Sequence, residues 1–92
     1  MEGNMEWPGD DRLVEKAKRG DAEAFTELAR RFEQKIHHAI LALTRNLQDA
    51  DDLAQETFMQ AYKSLKDFKQ QASFFTWLYR IAINLTLNFL KR

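Results

Sequence analysis

Ninety-two residues, 45% of them hydrophobic and 30% charged, are enough for one domain with one modest core and too apolar for a disordered chain. The lack of cysteine excludes disulfides and thiolate metal sites, and no apolar run approaches the ~20 residues of a membrane span, because Arg80, Asn84 and Asn88 interrupt the best candidate. The net charge of zero conceals a split: residues 1–56 hold 8 Lys/Arg against 13 Asp/Glu, while residues 57–92 hold 6 Lys/Arg against one acid, Asp67, which suggests two partners of opposite character, one of them a polyanion.

The opening "MEGNMEWPGD" is acidic and lacks a basic-then-apolar signal pattern, so residues 1–9 are expected to form a flexible tail and the chain to work in the cytoplasm. Pro8 and Gly9 precede Asp10, a good N-cap, and a short helix is predicted from there to Arg19 with Gly20 as its stop. Asp21 caps a second helix whose apolar residues Phe25, Leu28, Phe32, Ile36, Ile40, Leu43 and Leu47 recur at spacings of three and four. The run "RNLQD" breaks that stripe. Asp49 is expected to cap a third helix, with Asp51 and Asp52 in its first turn and Leu53, Thr57 or Phe58, Ala61 and Leu65 on its buried side. "KDFKQQAS" reads as the longest internal loop, and Ser73 as the cap of a last helix that runs to the end. With no strand candidate and no repeat, the expected fold is all-α, a small bundle of about four helices whose last two are joined by a functional loop.

The last helix carries the most information. At about 100° per residue, Thr76, Arg80, Asn84 and Asn88 advance slowly around it and Lys91 falls in the same arc, so they form one polar stripe roughly 120° wide. Phe74, Leu78, Ile81, Leu85 and Phe89 make the core-facing side. Asn is a poor helix former, yet two stand in the stripe. Their amides donate and accept at once, which suits base edges, and Arg suits phosphate. Beside the stripe lies a loop with Lys69 and several aromatics, the combination of stacking and charge that holds single strands. Taken singly, Phe74, Trp77 and Leu78 are more simply read as packing the bundle.

At this point the residues resemble a known family. "DADDLAQETFMQAYKSLKDF" followed by "SFFTWLYRIAINLTLNFLKR" is similar to region two of the extracytoplasmic-function sigma factors of bacterial RNA polymerase, and "LVEKAKRGDAEAFTELARRF" to that family's opening segment. The D-L-x-Q-E-x-F and T-W-L-Y-R-I-A-x-N runs, in that order, are specific. The resemblance implies a transcription initiation domain, not an enzyme and without cofactor or metal, occupying residues 10–92. Its third helix would dock on the clamp helices of the largest core polymerase subunit through Asp52, Gln55, Glu56, Met59 and Gln60. The loop from Phe68 to Thr76 would take up a base flipped from the melted non-template strand of the promoter minus-ten element. The DNA contacts so implied are Phe68, Lys69, Ser73, Phe74, Phe75, Thr76 and Trp77 around the loop and Arg80, Asn84, Asn88 and Lys91 on the helix. An anti-sigma factor is a further implied partner. Many members have a glycine and an acid after the loop's first aromatic, as in F-x-G-D-S; here "FKQQAS" has neither, which puts the preferred base in doubt. Members also continue into a helix-turn-helix domain that reads the minus-thirty-five element, and that domain is absent from these 92 residues.

Two other classes compete. A di-metal enzyme in a helical bundle needs Glu-x-x-His pairs, whereas His37 and His38 are adjacent and neither has Glu three residues before it; they read as partly exposed helix residues. A helical protein-interaction domain without DNA binding would explain the acidic face, but not the excess of bases beside aromatics and amides. A salt titration of single-strand binding separates the two.

Overall fold

The computed structural model describes residues 10–92; the expected tail, 1–9, lies outside the described residues. Four helices follow one another: α1 (Asp10–Lys18), α2 (Ala22–Thr44), α3 (Leu47–Ser64) and α4 (Phe74–Lys91), with a single 3-10 turn, Leu65–Asp67, after α3. No strand occurs among the described residues. This is the all-α bundle expected from the periodicity.

α2 is the axis, since it packs against α1, α3 and α4 alike. Asp21 caps it as predicted, its carboxylate accepting from the Ala24 N–H at 3.1 Å. Phe25, Leu28, Phe32, Ile36 and Ile40 all turn inward. The predicted stripe runs too far at its end, because Leu43 and Leu47 are 40% and 65% exposed. The cause is local. Arg45 adopts a left-handed conformation (φ 56°) and its N–H closes on the Leu41 carbonyl, which ends α2 and turns the chain before Leu47 is reached. α1 likewise stops at Lys18, one residue short of expectation, ahead of Gly20 at φ +102°. At its other end the buried Asp10 pairs with Arg31 of α2 at 2.5 Å, which ties α1 to the axis.

The third helix is capped by Asn46 and not by Asp49. The Asn46 side chain accepts from the Asp49 N–H at 2.9 Å, so Asp49 occupies the position that receives the cap. Between the two candidates for the buried stripe, Thr57 takes the core and Phe58 the flank; the Thr57 hydroxyl donates to the Leu53 carbonyl at 2.8 Å, so its burial leaves no donor unpaired. α4 differs more. Its buried line is Phe74, Leu78, Ala82 and Thr86, whereas Ile81, Leu85 and Phe89 are half-buried flanks. A row at spacing four winds around the helix, as expected where ridges of one helix lie along grooves of another. Apolarity alone hides this, because Ala82 and Thr86 are small or polar while buried. Thr86, like Thr57, donates back one turn, to Ala82 at 2.8 Å.

Candidate functional site

The six residues between the 3-10 turn and α4 shape the candidate site. Phe68 closes the turn, its N–H bonded to the Leu65 carbonyl at 3.0 Å. Gln70 then takes a left-handed backbone (φ 58°), at the place where the resembling family carries glycine. Ser73 ends the segment as the predicted N-cap of α4: its hydroxyl oxygen accepts from the Thr76 N–H at 3.1 Å and donates to the Thr76 hydroxyl at 3.0 Å. A hollow of about 210 Å³ lies here. Asp67, Phe68 and Lys69 line one side, Gln71 and Ala72 come from the segment, and Trp77 and Arg80 from the first two turns of α4.

The aromatics are mostly one continuous wall rather than free platforms. Phe68 stacks on Trp77 at 4.8 Å between centroids and 30° between planes, and meets Phe74 edge-on at 6.0 Å. Phe74 and Phe75 in turn reach Phe32 of α2 at 6.0 and 5.4 Å. Phe68 and Phe74 are buried, at 4% and 3% exposed, which corrects their expected role as open contacts: Phe74 is core, and Phe68 is the floor of the hollow. Trp77 and Phe75 are half-buried, and Lys35 lies over the Phe75 ring at 5.7 Å. The base-capturing stretch implied by the resemblance, Phe68 to Thr76, runs three residues past the Ser73 cap into the helix. Phe74, Phe75 and Thr76 form the first turn of α4, and the hydroxyls of Ser73 and Thr76 are engaged with each other in its cap.

Arg80, Asn84, Asn88 and Lys91 are all exposed, and among the described residues none makes a side-chain hydrogen bond or ion pair. Two unengaged amides one turn apart, next to a basic hollow floored by an aromatic, can pair with base edges while the hollow receives a planar group. Exposed Tyr79, Leu87 and Leu90 run beside them; of these, Leu87 had no place in the sequence reading because it falls among polar neighbours.

On α3, Asp52, Gln55, Glu56, Met59 and Gln60 share the exposed face opposite Leu53 and Thr57, with Met59 60% exposed. These are the positions for which the resemblance implies the polymerase contact. Their apolar end extends further than expected: Met59, Tyr62, Phe58 and Phe25 line a groove of about 370 Å³ with Lys63, and Phe25 meets Tyr62 edge-on at 5.1 Å. Tyr62, three residues past Met59, was the signal for it. His37 is half-buried with Nε2 2.8 Å from an Asp51 carboxylate oxygen, and His38 is exposed. Among the described residues no group of His, Cys, Asp or Glu is placed to hold a metal ion, and no helix is long and apolar enough to cross a membrane.

One residue of the site had no sequence signal at all. Lys18, at the end of α1, donates from Nζ to the Phe68 carbonyl at 2.5 Å across 50 positions of chain.

Comparison with known proteins gives the family and the fold. The family model described as Sigma-70 region 2 matches residues 28–92. The RNA polymerase sigma-H factor of Pseudomonas aeruginosa is 44% identical over 81 residues, which are 88% of this chain and 42% of that protein, so the chain spans well under half the length of this relative. An engineered region 2 of sigmaE, solved in complex with GTAAAA, is similar with a TM-score of 0.82 and 38% identity, covering 88% of this chain and 84% of that one. CnrH, solved in complex with the cytosolic domain of CnrY, is similar with a TM-score of 0.81 and 31% identity over 87% of this chain and 52% of that one.

Proposed function

The chain belongs to the sigma-70 region 2 family, and from that premise we propose that it binds core RNA polymerase and traps the melted non-template strand of a promoter minus-ten element. The observation that carries the reading is the juxtaposition of the aromatic-floored hollow with the unengaged Arg80, Asn84 and Asn88 on the adjoining helix. A flipped base enters the hollow against Phe68 and Trp77. Asn84 and Asn88 meet neighbouring base edges, and Lys69, Arg80 and Lys91 hold phosphates. The likeness to a sigmaE region 2 bound to GTAAAA supports a six-nucleotide single strand as ligand.

Polymerase contact falls to the face of α3 made by Asp52, Gln55, Glu56, Met59 and Gln60, with the clamp helices of the largest subunit as the proposed partner. Energetics require that partner. Separating about five stacked steps costs ~7 kcal/mol, at ~1.4 kcal/mol each. Stacking of a captured base returns only ~1–3 kcal/mol. Two captured bases therefore do not open a promoter unaided; polymerase positions and bends the duplex, and this domain traps what opens. An anti-sigma factor is a further proposed partner, supported by the likeness to CnrH held by CnrY, and the cytoplasm is the proposed place of action.

The test is binding of GTAAAA, a scrambled hexamer and the corresponding duplex, followed by Trp77 fluorescence as salt is raised. The single strand should bind with a negative salt slope and change the fluorescence far more than the duplex does. Equal responses to strand and duplex would overturn strand trapping, and absence of any DNA binding would leave only a protein-interaction domain.

A further inference from the structure

We propose that Lys18 is the positioning residue of the strand-capturing segment, so that α1 sets the shape of the hollow from a distance. The inference rests on the function proposed above. The segment between Phe68 and Ser73 is poorly held by its own backbone: Phe68 donates inward to Leu65, α4 is capped by Ser73, and, among the described residues, 69–72 make no backbone–backbone hydrogen bond. Within it Gln70 sits at φ 58°, a conformation that non-glycine residues hold only where the surroundings enforce it. The Phe68 carbonyl is the last backbone group fixed before that strained stretch. Lys18 fixes it, at 2.5 Å.

The placement of Lys18 makes this more than a surface contact. Its neighbour Ala17 is 6% exposed and Val14 is 1% exposed, so the end of α1 is anchored in the core, and the Asp10–Arg31 pair anchors its start. The side chain is half-buried in a hollow of about 230 Å³ shared with Lys63 and Lys66, where no carboxylate is present. Among the described residues Lys18 has no ion pair, so the carbonyl is the acceptor that orients it. That ammonium–carbonyl bond is charge-assisted and partly shielded from water. α1 also precedes residues 28–92, the span the family model matches, so the domain as delimited by that model does not contain the group that holds its own loop.

The decisive variant is Lys18→Met, which keeps the apolar stem and removes the donor; Lys18→Arg restores a donor. In the whole chain, Lys18→Met should raise amide hydrogen exchange about tenfold at Phe68, whose N–H is bonded to the Leu65 carbonyl. It should weaken GTAAAA binding by at least about tenfold, the lower end of the scale of one lost charged hydrogen bond, and leave the salt slope unchanged. Lys18→Arg should recover most of both effects. Unchanged exchange in Lys18→Met would overturn the proposal. Unchanged exchange with a salt slope reduced by about 0.7 would make Lys18 a phosphate ligand instead. If the parent chain fails to bind the hexamer, the proposed function fails, while the exchange measurement still decides whether Lys18 holds the segment. Should Lys18→Met lose its helical circular-dichroism signal, Lys18→Gln, which falls short of the carbonyl, takes its place in the same measurements.

Discussion

At the scale of single residues, the proposed site divides into groups that would read and groups that would hold. An amide aimed at a base edge confers discrimination, typically ~1–3 kcal/mol for a good bidentate pair. Asn84→Ala should therefore weaken the cognate oligonucleotide and narrow its advantage over mismatched ones. Asn88→Ala should act in the same direction less strongly, since it lies one turn further from the hollow. Arg80→Ala should weaken every sequence alike and reduce the salt slope by about 0.7, as loss of one single-strand phosphate contact requires. Titrations of each variant against randomised hexamers check this; an Asn84→Ala chain that ranks them as the parent does would make the stripe a solvated face. Gln70 makes a different point. Its left-handed backbone (φ 58°) costs a non-glycine residue about 1–2 kcal/mol, part of which glycine gives back in chain entropy. Gln70→Gly should thus stabilise the fold by about 0.5–1 kcal/mol, seen as a rise of a few degrees in Tm. In "FKQQAS" the left-handed turn keeps its place, with Gln70 bearing it in place of a glycine.

At the scale of helices, the caps account for where the chain bends. Asn46→Ala should cost about 1 kcal/mol of stability in chemical denaturation, and Asp49→Ala distinctly less, because Asn46 supplies the capping oxygen and Asp49 only the N–H it receives. Either residue is a plausible cap from composition. Only the left-handed turn at Arg45 decides between them, and a non-glycine residue in that conformation leaves no mark in the sequence. The same limit explains α4. Its existence, its Ser73 cap and its polar stripe were legible, because they depend on local spacing. The buried line through Ala82 and Thr86 was not, because which flank of an apolar helix goes deepest is set by the neighbours it crosses. Phe68 was misread for a related reason: an aromatic in a loop can be a platform or a floor, and tertiary packing chooses. Lys18 lay furthest out of reach, since nothing local relates it to a carbonyl 50 residues on.

At the scale of the whole molecule, the proposed polymerase face on α3 and the proposed strand face on α4 share a core but no residues. Perturbations of the two should then be independent and nearly additive, as for sites without common partners. Glu56→Lys should weaken polymerase binding while leaving the helical spectrum and the affinity for GTAAAA intact, and Arg80→Ala should do the reverse. The double variant should show the sum of both losses within about 0.5 kcal/mol in each assay; a Glu56→Lys chain with undiminished polymerase affinity would remove α3 from the interface. The hollow carries one more implication. Its floor is Phe68, which the core needs, whereas Lys69 and Gln71 on its rim are exposed and belong to no packed layer. Substitutions at the rim should therefore change which base the proposed pocket accepts, with little effect on folding. If the proposed function holds, the preferred base is thus adjustable at two exposed side chains without disturbing the hydrophobic interior beneath them.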